Sequence, residues 1–98
     1  MLFRKPVWPF EEPQNAAVLC LRRILQGTAP ILLAVYDNER QWQFLDGDDV
    51  TEAEAVVVGL GAVFAKDASI GVLADLPAGW FAWRKSVHHP WQRAPDSG

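Results

Sequence analysis

The shortness of the apolar runs constrains this chain more than anything else in it. Between residues 16 and 84 each run is β-branched, aliphatic or aromatic, spans about six residues or fewer, and ends in turn chemistry. Ala16-Ala17-Val18-Leu19-Cys20-Leu21 has the length of a strand buried on both faces, although periodicity alone does not separate it from a buried helix. Gln26 to Pro30 reads as a turn and Ile31 to Tyr36 as a strand. Asp37-Asn38-Glu39-Arg40 then joins that strand to Gln41–Leu45, which predicts a β-hairpin with Trp42 and Phe44 on one face.

Residues 51–67 carry competing signals. Thr51 and Glu54 have the spacing of a capping box, but Val56-Val57-Val58 is a β-branched run and Gly59 and Gly61 interrupt a helix. The favoured reading is a strand at about 56–59 and a short helix near 61–66. Asp67 is placed to cap a second short helix that turns Ile70, Leu73 and Leu76 inward, and Pro77 ends it. Trp80 to Arg84 reads as a last strand, with Trp80 and Phe81 on opposite faces. The expected fold is therefore α+β: an antiparallel or mixed sheet of four to five strands, with one or two short helices packed on it.

At 98 residues, 50% apolar and 21% charged, the chain is sized and composed for one small globular domain. Residues 1–14 form an expected extended arm, because Pro6, Pro9 and Pro13 bar regular helix. Val7, Trp8 and Phe10 on it need apolar cover, from the domain's own core or from a partner. Residues 15–85 are the expected domain and 86–98 a polar tail. The N-terminus has no apolar run of signal-peptide length, and no stretch reaches a membrane span, so the expected location is the cytoplasm without membrane contact.

Chemical motifs are weak. Asp46-Gly47-Asp48-Asp49 concentrates oxygen ligands but lacks calcium-loop spacing and reads as a solvated turn. Gly59-Leu60-Gly61 lacks the third glycine of a dinucleotide fingerprint, since position 64 is Phe. Adjacent His88 and His89 have no neighbouring ligand at metal spacing, and Cys20 sits within an apolar run where burial makes a thiol inert. These residues imply no cofactor, no metal and no enzyme. A net charge of −3 argues against nucleic acid as a partner.

Charge segregation is more informative. From Asp37 to Glu54 there are seven acids against Arg40, a net of −6, while Arg84, Lys85 and Arg93 make the end basic. Such an acidic rim either steers a basic partner or serves only as a solvated face. Five tryptophans exceed what so small a core fully buries, and tryptophan is enriched at interface hot spots. The candidate protein-binding surface is thus Trp42, Asp46, Asp48, Asp49 and Trp83.

The landmarks fall in a familiar order. An apolar strand ends at Cys20 and is followed by Arg22-Arg23-Ile24-Leu25-Gln26-Gly27 and by Pro30-Ile31. Then come Trp42-Gln43-Phe44-Leu45-Asp46-Gly47-Asp48, a Val-rich strand, Lys66-Asp67-Ala68-Ser69-Ile70 and Leu73-Ala74-Asp75-Leu76-Pro77-Ala78-Gly79. Over residues 15–85 this resembles a family of small bacterial proteins that includes predicted immunity proteins of polymorphic toxin systems. The family pattern often has Pro where this chain has Ala68, and its hairpin is commonly longer and more acidic. The resemblance implies the fold, no catalytic residues, and neutralisation of a toxin by binding. The expectation is a non-enzymatic protein-binding module whose partner is a protein such as a toxin domain. A small-ligand-binding domain or enzyme with an unrecognised site is one alternative, and a homo-oligomer sealed by its aromatics is another.

Overall fold

A computed structural model of the chain describes residues 8–48 and 51–96. Pro6, Val7 and Asp49, weighed above, lie outside the described residues. The strands are β1 (Ala17–Leu21), β2 (Leu33–Tyr36), β3 (Trp42–Leu45), β4 (Ala55–Gly59), β5 (Trp80–Trp83) and β6 (Gln92–Pro95). They form one sheet in the order β4-β1-β3-β2-β5-β6. Only β1 and β3 run parallel; every other neighbouring pair is antiparallel. The sheet is mixed and the class α+β, with six strands in place of the expected four to five.

The additional strand comes from the segment read as a polar tail. Gln92-Arg93-Ala94-Pro95 has little strand propensity of its own, but β5 presents an unpaired edge and the pairing satisfies it. Arg93 also reaches across to the Asp75 carboxylate at 2.7 Å and to the Val72 carbonyl at 2.7 Å. Pro95 sits at the strand's end, where its missing N–H costs no ladder bond.

Residues 51–67 resolve as the β-branched run requires. Glu52–Glu54 make one 3-10 turn, β4 follows, and α2 (Leu60–Lys66) starts directly from Gly59. A four-residue helix, α1 (Arg22–Leu25), leaves β1. Asp67 caps the 3-10 helix Ala68–Leu73 by accepting from the Ser69 N–H at 2.9 Å. Ile70, Leu73 and Leu76 are buried, at the spacing read from the sequence.

Helices α1 and α2 and the Ala68–Leu73 helix pack on one side of the sheet. Strand alternation sends Val18, Cys20, Ala34, Tyr36, Trp42, Phe44 and Ala82 into that side, where they meet Ile24, Leu60, Val63, Ile70 and Leu73. An aromatic stack runs through the centre: Tyr36 on Trp42 at 4.3 Å and Trp42 on Phe44 at 5.5 Å between centroids. The described part of the N-terminal arm completes it. Phe10 stands edge-on to Trp42 at 5.6 Å, and Trp8 packs on Phe64 at 5.3 Å. Trp8 Nε1 donates to the Glu12 carbonyl at 2.7 Å, and the Tyr36 hydroxyl donates to Glu12 Oε2 at 2.6 Å. At the entry to β5, Gly79 adopts φ +86°, and a side chain there would strike Asn38 Oδ1 at 2.5 Å.

A buried cation joins the layers. Arg84, only 6% exposed, follows β5. Its Nε donates to the Ile31 carbonyl at 3.0 Å, Nη1 to Ser69 Oγ at 3.0 Å and Nη2 to Asp67 Oδ2 at 2.6 Å. The guanidinium also lies 4.3 Å from the centre of the Trp91 ring. Removing its carboxylate would leave a buried charge uncompensated, whereas the Arg93–Asp75 pair involves a carboxylate whose side chain is 79% exposed. Asp67→Ala is expected to cost about 3 kcal/mol of folding stability, and Asp75→Ala under about 1 kcal/mol. Urea unfolding of the two variants checks the contrast.

Candidate functional site

The acidic turn after β3 is built around an ion pair. Asp46 Oδ2 accepts from Arg23 Nε at 2.6 Å and Oδ1 from Arg23 Nη2 at 2.9 Å, a two-pronged contact between the end of β3 and α1. Asp46 Oδ1 also accepts from the Asp48 N–H at 3.1 Å. Hydrogen bonding by Arg23 holds the Asp46 carboxyl below its ordinary 3.8 against the opposing effect of burial. Asp46 is thus a structural anchor and presents little of its carboxylate to a partner.

The structure does not assemble the surface expected from the sequence. Trp42 is 2% exposed at the heart of the core, because its face of β3 is the one covered by the helices and Phe10. Asp48 is exposed, Asp46 is engaged, and Asp49 lies outside the described residues. Trp83 is 39% exposed but belongs to the opposite face of the sheet from Trp42. Of the four described candidates, Trp83 and Asp48 retain the exposure that contact requires.

That opposite face is the most distinctive surface of the molecule. The register aligns Val57, Leu19, Gln43, Val35, Phe81 and Ala94 in one row across all six strands. A second row runs Leu45, Leu33, Trp83 and Gln92. Neither row contains a charged side chain, and α1, α2 and the Ala68–Leu73 helix turn their buried residues to the other face. Val57 is 72% exposed, and Trp83 stacks on Phe81 at 5.2 Å. The alternation of Trp80 and Phe81 in the sequence put the two rings on opposite faces; the breadth of the apolar rows emerges only from the register.

The rim of this face is polarised. Beyond the C-terminal end of β5, Lys85, His89 and Pro90 join Trp83 and Gln92 around an open groove of about 570 Å³. His89 Nδ1 lies 2.7 Å from Ser86 Oγ. Across the same end of the sheet stand Asp48, after β3, and Glu54, just before β4.

Groups able to do covalent chemistry are dispersed. Cys20 is fully buried, and that burial raises its thiol pKa to about 11. Burial likewise raises the Tyr36 hydroxyl to about 12, helped by its bond to Glu12. Among the described residues no three His, Cys, Asp or Glu side chains gather as metal ligands, and no helix is long and apolar enough to cross a membrane. Comparisons with protein-family models, curated proteins and solved structures return no match.

Two outcomes follow from the titrating groups. Burial opposes ionisation of Asp67, but hydrogen bonds from Ser69 and Arg84 outweigh it and lower the pKa, as Arg23 lowers that of Asp46. A carboxyl depressed in the folded state stabilises it above the unfolded value, and the contribution disappears as pH falls through the folded value. Stability should therefore decline on acidification below about pH 4, and Asp46→Asn should flatten that decline while being less stable at neutral pH; denaturant midpoints across pH measure both. At neutral pH Cys20 should resist iodoacetamide in the native protein and react on unfolding, as mass spectrometry would show.

Proposed function

We propose that this chain is a non-enzymatic protein-binding domain and that its contact surface is the uncovered face of the sheet. The observation that carries this reading is the pair of uncharged, mostly apolar rows, one crossing all six strands and the other four, on the face away from α1, α2 and the Ala68–Leu73 helix. A contiguous apolar surface rimmed by charge is the usual mark of an interaction site, and Trp83 beside Phe81 supplies an aromatic anchor of the kind that dominates such contacts. The acidic turn is a secondary element: exposed Asp48 contributes charge at that end of the sheet, where it acts on encounter rate and orientation, while Glu54 lies 3.9 Å from Arg23 Nη1. The resemblance to predicted immunity proteins adds a toxin domain as a partner suited to such a face.

The test is affinity capture at moderate salt with the wild-type chain, Val57→Lys and Trp83→Glu, read by mass spectrometry. Both substitutions fall on exposed positions, and circular dichroism verifies their folding. A stoichiometric protein partner, including untagged copies of the same chain, should be held by the wild type and lost from both variants. A partner retained equally by both would remove this face from the function.

A further inference from the structure

We infer that β6 is a releasable strap: residues 91–96 leave the edge of β5 as one unit, about a hinge at 85–90, while the other five strands stay paired. The sequence sets up the contrast. Gln92-Arg93-Ala94-Pro95 has no β-branched or large apolar residue, so the segment brings little hydrophobic driving force to its place in the sheet. β1, β2, β3 and β5 each bury side chains in the core and Val58 of β4 packs against it, whereas no residue of β6 joins that cluster. Between buried Arg84 and Trp91 the chain is exposed at every position but Ser86. Segments with few buried apolar contacts open at a fraction of the free energy of global unfolding.

The fastenings suit release. Arg93 holds the strap from outside: Nη1 donates to Asp75 Oδ1 and Nη2 to the Val72 carbonyl, both at 2.7 Å. The Asp75 side chain is 79% exposed, so solvent competes for this clasp. Trp91 holds it from inside, its ring centre 4.3 Å from the Arg84 guanidinium. The Trp91 Nε1 is buried with no acceptor among the described residues, and release returns that donor to water. Asp67, Ser69 and the Ile31 carbonyl keep hold of Arg84 when Trp91 leaves. The open state bares the edge of Trp80–Trp83, an aromatic strand that closed β6 keeps from pairing with other chains.

Hydrogen exchange followed residue by residue by NMR tests the inference, because the ladder supplies its own control. The bond from the Asp96 N–H to the Gly79 carbonyl fixes the alternation: Phe81 and Trp83 turn their amides to β6, and Ala82 turns its amide to β2. In the wild type Phe81, Trp83 and Ala94 should share one protection factor, lower than those of Ala82, Cys20 and Phe44. Arg93→Glu sets like charges against each other and should lower the protection of those three about fivefold. Adding Asp75→Lys should restore it, and Ala82 should respond to neither change. Protection of Phe81, Trp83 and Ala94 equal to that of Cys20 and Phe44 would overturn the strap, as would Ala82 exchanging in step with them. Protection unchanged by Arg93→Glu would overturn the clasp.

Discussion

Arg84 holds the molecule's layers to one another. Its guanidinium receives its partners from three separate places: the carbonyl of Ile31 ahead of β2, the Asp67 and Ser69 side chains at the start of the 3-10 helix, and the Trp91 ring before β6. A buried cation is tolerated only when paired and hydrogen-bonded. These elements must therefore converge on it, and their convergence commits the helical layer to one side of the sheet. Asp67 serves two ends at once, capping the helix through the Ser69 N–H and neutralising Arg84.

That commitment explains the asymmetry of the sheet. The short connection from β4 through α2 and Ala68–Leu73 to β5 covers Trp42, Phe44 and Tyr36. The described arm covers the same side through Trp8 and Phe10. Nothing of comparable size among the described residues reaches the other side, so Phe81, Trp83 and Val57 stay at the surface. Burying them would gain roughly 25 cal/mol per Å² of apolar area. The elements among the described residues cover one face of the six-stranded sheet and leave the other open.

Much of the fold was legible in the chain. The pairing of Ile31–Tyr36 with Gln41–Leu45, the strand at Val56–Gly59 and the inward spacing of Ile70, Leu73 and Leu76 all follow from local chemistry, because turn residues and side-chain periodicity act over a few residues. The sixth strand was not legible. Gln92–Pro95 has neither alternation nor β-branching, and it pairs because an edge was waiting for it. Likewise the sequence placed Trp42 and Phe44 on one face of their strand, but not on which side of the sheet that face lies.

The same division holds for the site. Residue identity alone pointed to a buried thiol at Cys20 and to more aromatics than a small core holds. Tertiary structure decided which aromatics stayed outside: Trp42 went in and Trp83 stayed out. It also turned Asp46 from a surface charge into the partner of Arg23, and Arg84 from a solvated terminal charge into a buried tie. The physical reason is range. Strand alternation and capping are set by neighbours in the chain. Burial of a given face depends on which distant segment packs over it, and that is resolved only when the whole sheet has formed.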